Sequence, residues 1–159
     1  MLIGKETVYS LRGFCGLGLS FVADGFGVIL AVLTGAIWLI TTIFSKEYMA
    51  AERNRNRYYF FVFLTLGATM GIFLSADLFT TFIFFEIMSF TSFVLVMHDE
   101  EDFTVRSAKT YLAVAVIGGL VTLMGLFMMY QKAGTLNMTE LTAFMQSREN
   151  PAEFYAIGV

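Results

Sequence analysis

Apolar runs of about twenty residues recur along this chain, and a run of that length belongs in a bilayer far more readily than in a soluble core. They fall at about 25–45, 58–76, 78–98 and 110–130. As a helix, each is long enough to cross a hydrocarbon core of about 30 Å at about 1.5 Å per residue. Composition points the same way. Of the 159 residues 57% are hydrophobic and only 14% charged, against roughly 25% charged in a soluble domain. The predicted fold class is therefore all-α integral membrane, a bundle of about four transmembrane helices. Residues 1–24 are expected to form an N-terminal extramembrane or interfacial segment and 25–130 the four-helix membrane domain. Residues 131–159 are expected to form a polar loop and the start of a truncated helix.

Several function classes drop out. A net charge of −3 with no basic tail gives no reason to expect a nucleic-acid partner. The single cysteine, Cys15, excludes an intrachain disulfide and a cysteine metal cluster. No second histidine or cysteine stands near His98, so no metal site is expected. No phosphate loop, nucleophile triad or pair of catalytic carboxylates is present. Neither a catalytic residue nor a cofactor site is expected. Lys5 and Arg12 precede only a short Gly-rich stretch without a clean cleavage site, which argues against a signal peptide.

Basic residues near helix ends set the orientation. One side receives Lys46, Arg53, Arg55, Arg57, Arg106 and Lys109, and the other Lys5, Arg12, Lys132 and Arg148. The Arg-rich loop is therefore expected in the cytoplasm. Small residues mark the faces on which helices would approach one another. These are Gly27, Ala31 and Gly35 in the first helix, and Gly67, Gly71 and Ser75 in the second. The fourth has Ala115 and Gly119, then Gly118, Thr122 and Gly125.

One residue does not fit a merely structural bundle. In "SADLFTTFIFFEIMSFTSFVLVMHDEED" Glu86 stands amid phenylalanines, roughly 12 Å below the start of its predicted helix. A charge at that depth costs at least about 2.5 kcal/mol, and a glutamate stem is too short to carry it to the headgroups. Glu86 must be protonated, or face a partner or a watery cavity, and such a residue is a functional-site hypothesis by default. The alternative is a protonated glutamate serving as interhelical glue. Lys109, taken as opening the next helix, is too far along the bundle for a direct salt bridge, although a water chain could join the two. Ser89 lies at i+3 on a nearby face and could hold a water. Asp77 reads either as a helix cap or as part of the site. His98, the sole histidine, reads as an interfacial cap or a proton relay. Asp99, Glu100, Glu101 and Asp102 read as a solvated loop or a cation-attracting mouth.

These segments resemble a known family. "FVADGFGVILAVLTGAIWLITTIFSKEYM" looks like the aspartate-glycine start of a central helix in the antiporter-like proton-pumping subunits of respiratory complex I. "GIFLSADLFTTFIFFEIMSF" looks like the following helix pair, with its aspartate turn, aromatic pair and glutamate. "VRSAKTYLAVAVIGGLVTLMG" is similar to the helix after that. The same family includes multisubunit sodium/proton antiporters and membrane-bound hydrogenases of the formate-hydrogenlyase type. The resemblance implies that Glu86 pairs with a lysine on a later helix and gates a proton site, with Lys109 bordering the cytoplasmic path and Asp77 at the matching turn. It implies a larger antiporter-like subunit, of which this chain would be a fragment or one piece of a split subunit.

The function this implies is proton, or sodium/proton, translocation as a non-catalytic membrane subunit of a redox-driven complex. An NADH-quinone oxidoreductase or a membrane-bound hydrogenase is the expected kind. A multisubunit sodium/proton antiporter and a small membrane structural or assembly protein are the alternatives. The implied partners are the lipid bilayer, other membrane and redox subunits, and protons or sodium ions. The implied location is the inner (plasma) membrane, multi-pass.

Overall fold

The computed structural model describes residues 8–11, 18–51, 54–97 and 102–146. An antiparallel hairpin comes first, β1 (Val8–Leu11) and β2 (Leu19–Val22), paired from Val8↔Val22 to Leu11↔Leu19. Four long helices follow: α1 (Gly25–Tyr48), α2 (Arg55–Phe73), α3 (Leu78–Val96) and α4 (Asp102–Ala133). A 3₁₀ turn, Met49–Ala51, closes α1, and a short helix, α5 (Met138–Gln146), ends the described chain.

Two of the helix starts are set by acids. Asp24 caps α1, its Oδ1 accepting the Gly27 N–H at 2.9 Å. Asp77 caps α3 in the same way. The four helices pack in chain order, each antiparallel to the one before. Trp38 of α1 donates to the Val62 carbonyl of α2 at 3.2 Å, and Ser45 reaches the Tyr59 hydroxyl at 3.3 Å. Gly27 lies directly against the Phe73 carbonyl, where no Cβ would fit. Between α2 and α3, the Phe84 ring fills the space over Gly71, and Thr65 donates to Thr91 at 2.8 Å across a buried interface. The tightest apolar cluster is Phe79, Leu126 and Leu136, with Leu78, Phe82, Ile83 and Met129 around it.

The molecule is an all-helical membrane bundle with a small β-hairpin at one end. By length and composition α1, α3 and the Thr104–Ala133 part of α4 can cross a membrane. The more polar α2 starts with Arg55 and Arg57 and lies between α1 and α3. The outer faces of α1 and α4 are apolar and exposed, with Ile29, Val32, Val114 and Val121 each about two-thirds accessible. In a bilayer such faces meet lipid or other membrane helices.

Besides the hairpin, three features differ from the sequence reading. Helix α4 starts at Asp102, so "DFTVRSAK" is helical and Lys109 lies two turns inside rather than at the helix start. That stretch contains no glycine or proline to stop a helix. The turn between α2 and α3 takes in residues 74–77, since α2 ends at Phe73. Within 131–146 the chain is not a plain loop. Gly134 takes φ +74°, which glycine adopts without strain. Asn137 Oδ1 then accepts the Thr139 and Glu140 N–H groups at the start of α5. His98, Asp99, Glu100 and Glu101 lie outside the described residues.

Candidate proton-translocation site

Glu86 stands near the middle of α3, about 12 Å from Leu78 and about 15 Å from Val96 along the axis. Its side chain is half-buried and points at α4. Gly119 lies directly opposite: a Cβ at that position would stand 2.5 Å from Oε1 and 2.9 Å from Cδ. Ser89 and Phe90 of α3, with Leu112, Ala115 and Val116 of α4, surround the carboxylate. Among the described residues no side chain donates a hydrogen bond to it, and none forms an ion pair with it.

A surface groove of about 580 Å³ runs past this point between α3 and α4. It extends from Thr110 and Tyr111 near the Arg-rich end, past Ser89, Ala115 and Gly119, to Thr122. Four hydroxyl-bearing residues therefore line an otherwise apolar channel about 18 Å long. Gly119, on which the carboxylate is seated, lines it about three-quarters of the way from Thr110 to Thr122.

The other expected site residues are not gathered around Glu86. Lys109 is exposed and stands ten residues before Gly119, or about 15 Å along α4. Asp77 is buried at the start of α3, about 13 Å from Glu86 along the axis. Both of its carboxylate oxygens are engaged, Oδ1 by the Thr80 N–H at 2.7 Å and Oδ2 by the Thr80 hydroxyl at 2.8 Å. It is the N-cap of the helix that carries Glu86. Sequence reasoning noted Gly119 only as part of a packing stripe and missed Tyr111 and Thr80. Folding α3 and α4 as an antiparallel hairpin would have brought Gly119 into view, but only with the connection length known.

The segment holding this arrangement matches a known family. Residues 75–159, from the Asp77 turn through α3 and α4, match the transmembrane family described as NADH:quinone oxidoreductase/Mrp antiporter. The chain belongs to that family. Among its relatives, a Na(+)/H(+) antiporter subunit of Alkalihalophilus pseudofirmus is 28% identical over 89% of this chain and 29% of its own. A putative antiporter subunit mnhD2 of Staphylococcus haemolyticus is 35% identical over 78% of this chain and 25% of its own. The chain thus spans between a quarter and a third of the length of these relatives. In structure it is similar to a chain of the membrane-bound sulfane sulfur reductase, an archaeal respiratory membrane complex, with a TM-score of 0.76. That match covers 91% of this chain and 23% of the other at 23% identity, so it speaks to the fold alone.

Proposed function

We propose that this chain forms part of a proton-translocating, or sodium/proton-translocating, membrane subunit in which Glu86 is a titrating carboxylate of the ion path. The single observation that carries the reading is the seat of Glu86. The carboxylate sits mid-helix, over the one α4 residue that leaves room for it, beside a groove dotted with hydroxyls. Among the described residues no neighbouring helix hydrogen-bonds to Glu86, and a carboxylate at mid-membrane depth calls for a partner or water, which the groove and a further helix of the assembly can supply.

In this reading Lys109 borders the path at the Arg-rich end, and Thr110, Tyr111 and Ser89 hold water between it and Glu86. Asp77 acts through the helix cap, and His98 serves as a proton relay or an interfacial cap. The cation that pairs with Glu86 comes from another helix of the assembly. The host is a multisubunit complex of the inner membrane. Two hosts remain in view: a redox-driven complex, the kind to which the structural neighbour belongs, and a sodium/proton antiporter, the kind named for the sequence relatives. Proton uptake by inverted membrane vesicles under a redox substrate, or under an imposed sodium gradient alone, separates them.

The test of Glu86 is substitution in the assembled complex. Glu86→Gln keeps shape and polarity and removes titration, so assembly should persist while the pH gradient formed by inverted vesicles collapses. Glu86→Asp should be milder, since the charge remains and moves by about one methylene. Full pumping by the Gln variant, normalised to assembled protein, would reduce Glu86 to a structural residue.

A further inference from the structure

One end of the bundle is laced together by backbone. Residues 74–77 run between β2 and residues 136–138, bridged to them by the antiparallel pairs Phe21↔Ser75 and Asp77↔Asn137. The Val22 N–H donates to the Leu74 carbonyl at 2.7 Å and the Ala76 N–H to Ser20 at 2.9 Å. On the other side, the Leu78 N–H donates to Leu136 at 3.0 Å and the Met138 N–H to Ala76 at 3.3 Å. At the centre lies Thr80, with no exposed surface. Its Oγ1 accepts the Ser20 N–H at 2.9 Å and donates to Asp77 Oδ2 at 2.8 Å. One hydroxyl therefore joins strand β2 to the cap of the helix that carries Glu86.

A second grip lies one turn further along α3. The Phe21 ring meets the Phe84 ring edge-on, with centroids 5.6 Å apart, and Phe84 is itself pressed into the space over Gly71 of α2. Thr80 and Phe84, at i and i+4, share one stripe of α3. Glu86 lies about 160° around from Phe84, at about 100° per residue. The hairpin thus holds α3 from the side facing away from the carboxylate. On the opposite side Glu86 is seated against Gly119, so a slide or rotation of α3 at the hairpin end would move the carboxylate relative to that glycine.

We propose that Thr80, together with Phe84, is a positioning residue: gripping α3 at both, the hairpin fixes the register of α3 on α4 and so the seat of Glu86 over Gly119. The inference rests on Glu86 lying in the ion path, and its test reads the register separately from transport. In the complete complex in native membranes, with Cys15→Ser, the pair Ser89→Cys and Ala115→Cys flanks the Glu86 pocket, and its oxidative cross-linking rate reports the α3–α4 register. Thr80→Val keeps the shape but leaves the Ser20 N–H and Asp77 Oδ2 without their buried partner. It should slow cross-linking several-fold and, in the Cys15→Ser parent without the added pair, lower proton transport per assembled complex. Thr80→Ser restores the hydroxyl and should restore both. If Thr80→Val does not assemble, Phe21→Leu tests the same grip with the Thr80 hydrogen bonds intact, and it should slow cross-linking in the same direction. A wild-type cross-linking rate in Thr80→Val, or in Phe21→Leu where Thr80→Val does not assemble, overturns the proposal, as does failure of Thr80→Ser to restore the rate. Slowed cross-linking together with full transport in Glu86→Gln would keep the register claim and remove the ion-path reading instead.

Discussion

Gly118 and Gly119 are adjacent on α4, yet only Gly119 faces Glu86. A Cβ at position 118 would meet nothing within 4 Å, whereas one at 119 would meet the Glu86 carboxylate. The obstructing atoms are the far end of a flexible side chain, so Gly119→Ala should fold and assemble while displacing the carboxylate. Proton transport per assembled complex should fall markedly in Gly119→Ala and stay unchanged in Gly118→Ala. In a Glu86→Gln background, where the carboxylate is already gone, Gly119→Ala should cost little more if the two residues act as one unit. Equal transport by the two alanine variants would remove Gly119 from the site.

The second helix offers a similar contrast with a stability readout. A Cβ at Gly71 would run into the Phe84 ring, while one at Gly67 would meet nothing within 4 Å. The ring is held by Phe21 on its other side and has little room to yield. Gly71→Ala should therefore destabilise the α2–α3 pairing by about 1–3 kcal/mol, the usual cost of overpacking. Gly67→Ala should be neutral or slightly stabilising through helix propensity. Loss of helicity on titration with a denaturing detergent measures both.

These contrasts mark where the sequence was legible. The existence of the long helices and the depth of Glu86 follow from apolar length and a fixed rise per residue, so they could be read directly. The Asp77 cap was also legible, as one of the two roles weighed for it. The small-residue stripes told which helices have neighbours but not which glycine bears the contact. Gly67 and Gly71 are equivalent in sequence, and only Gly71 meets a ring. The seat over Gly119 was out of reach because it depends on where α4 begins. With the helix start placed near 110 instead of 102, Lys109 looked like an end residue and the level of each α4 side chain shifted. The hairpin was missed because its strands are four residues each, too short for a period-two pattern to stand out.

Antiparallel packing in chain order puts the C-terminal ends of α1 and α3 and the N-terminal ends of α2 and α4 at one end, and β2, the 74–77 turn and α5 at the other. With the basic residues near the first end, that end should be cytoplasmic. Asn56 and Thr139 are both exposed. Thr139 is a better reporter than Asn137, whose side chain caps α5. Cysteines at 56 and 139 should react with a membrane-impermeant maleimide from opposite faces, with 56 labelled only in inverted vesicles. Labelling of both from one face would contradict the helix order.

The Thr65–Thr91 contact measures how much a buried hydroxyl pair holds α2 to α3. Thr65 lies 2.7 Å from the Phe61 carbonyl of its own helix, and Thr91 lies 2.9 Å from that of Met88. Each hydroxyl therefore has a fallback acceptor one turn back if its partner is removed. Thr65→Val and Thr91→Val preserve shape, and neither strands a donor, so each should cost no more than about 1 kcal/mol. The double variant should cost less than the two singles added, by about 0.6 kcal/mol, the typical worth of one interhelical hydrogen bond in a membrane protein. The cycle is read from detergent-induced unfolding of the four proteins under one condition. A coupling of zero would mean that each hydroxyl serves its own helix and that shape alone joins the pair. A coupling well above about 2 kcal/mol would exceed what such bonds contribute in membranes. It would indicate that removing one hydroxyl repacks the whole α2–α3 face, including the Gly71–Phe84 contact two turns away.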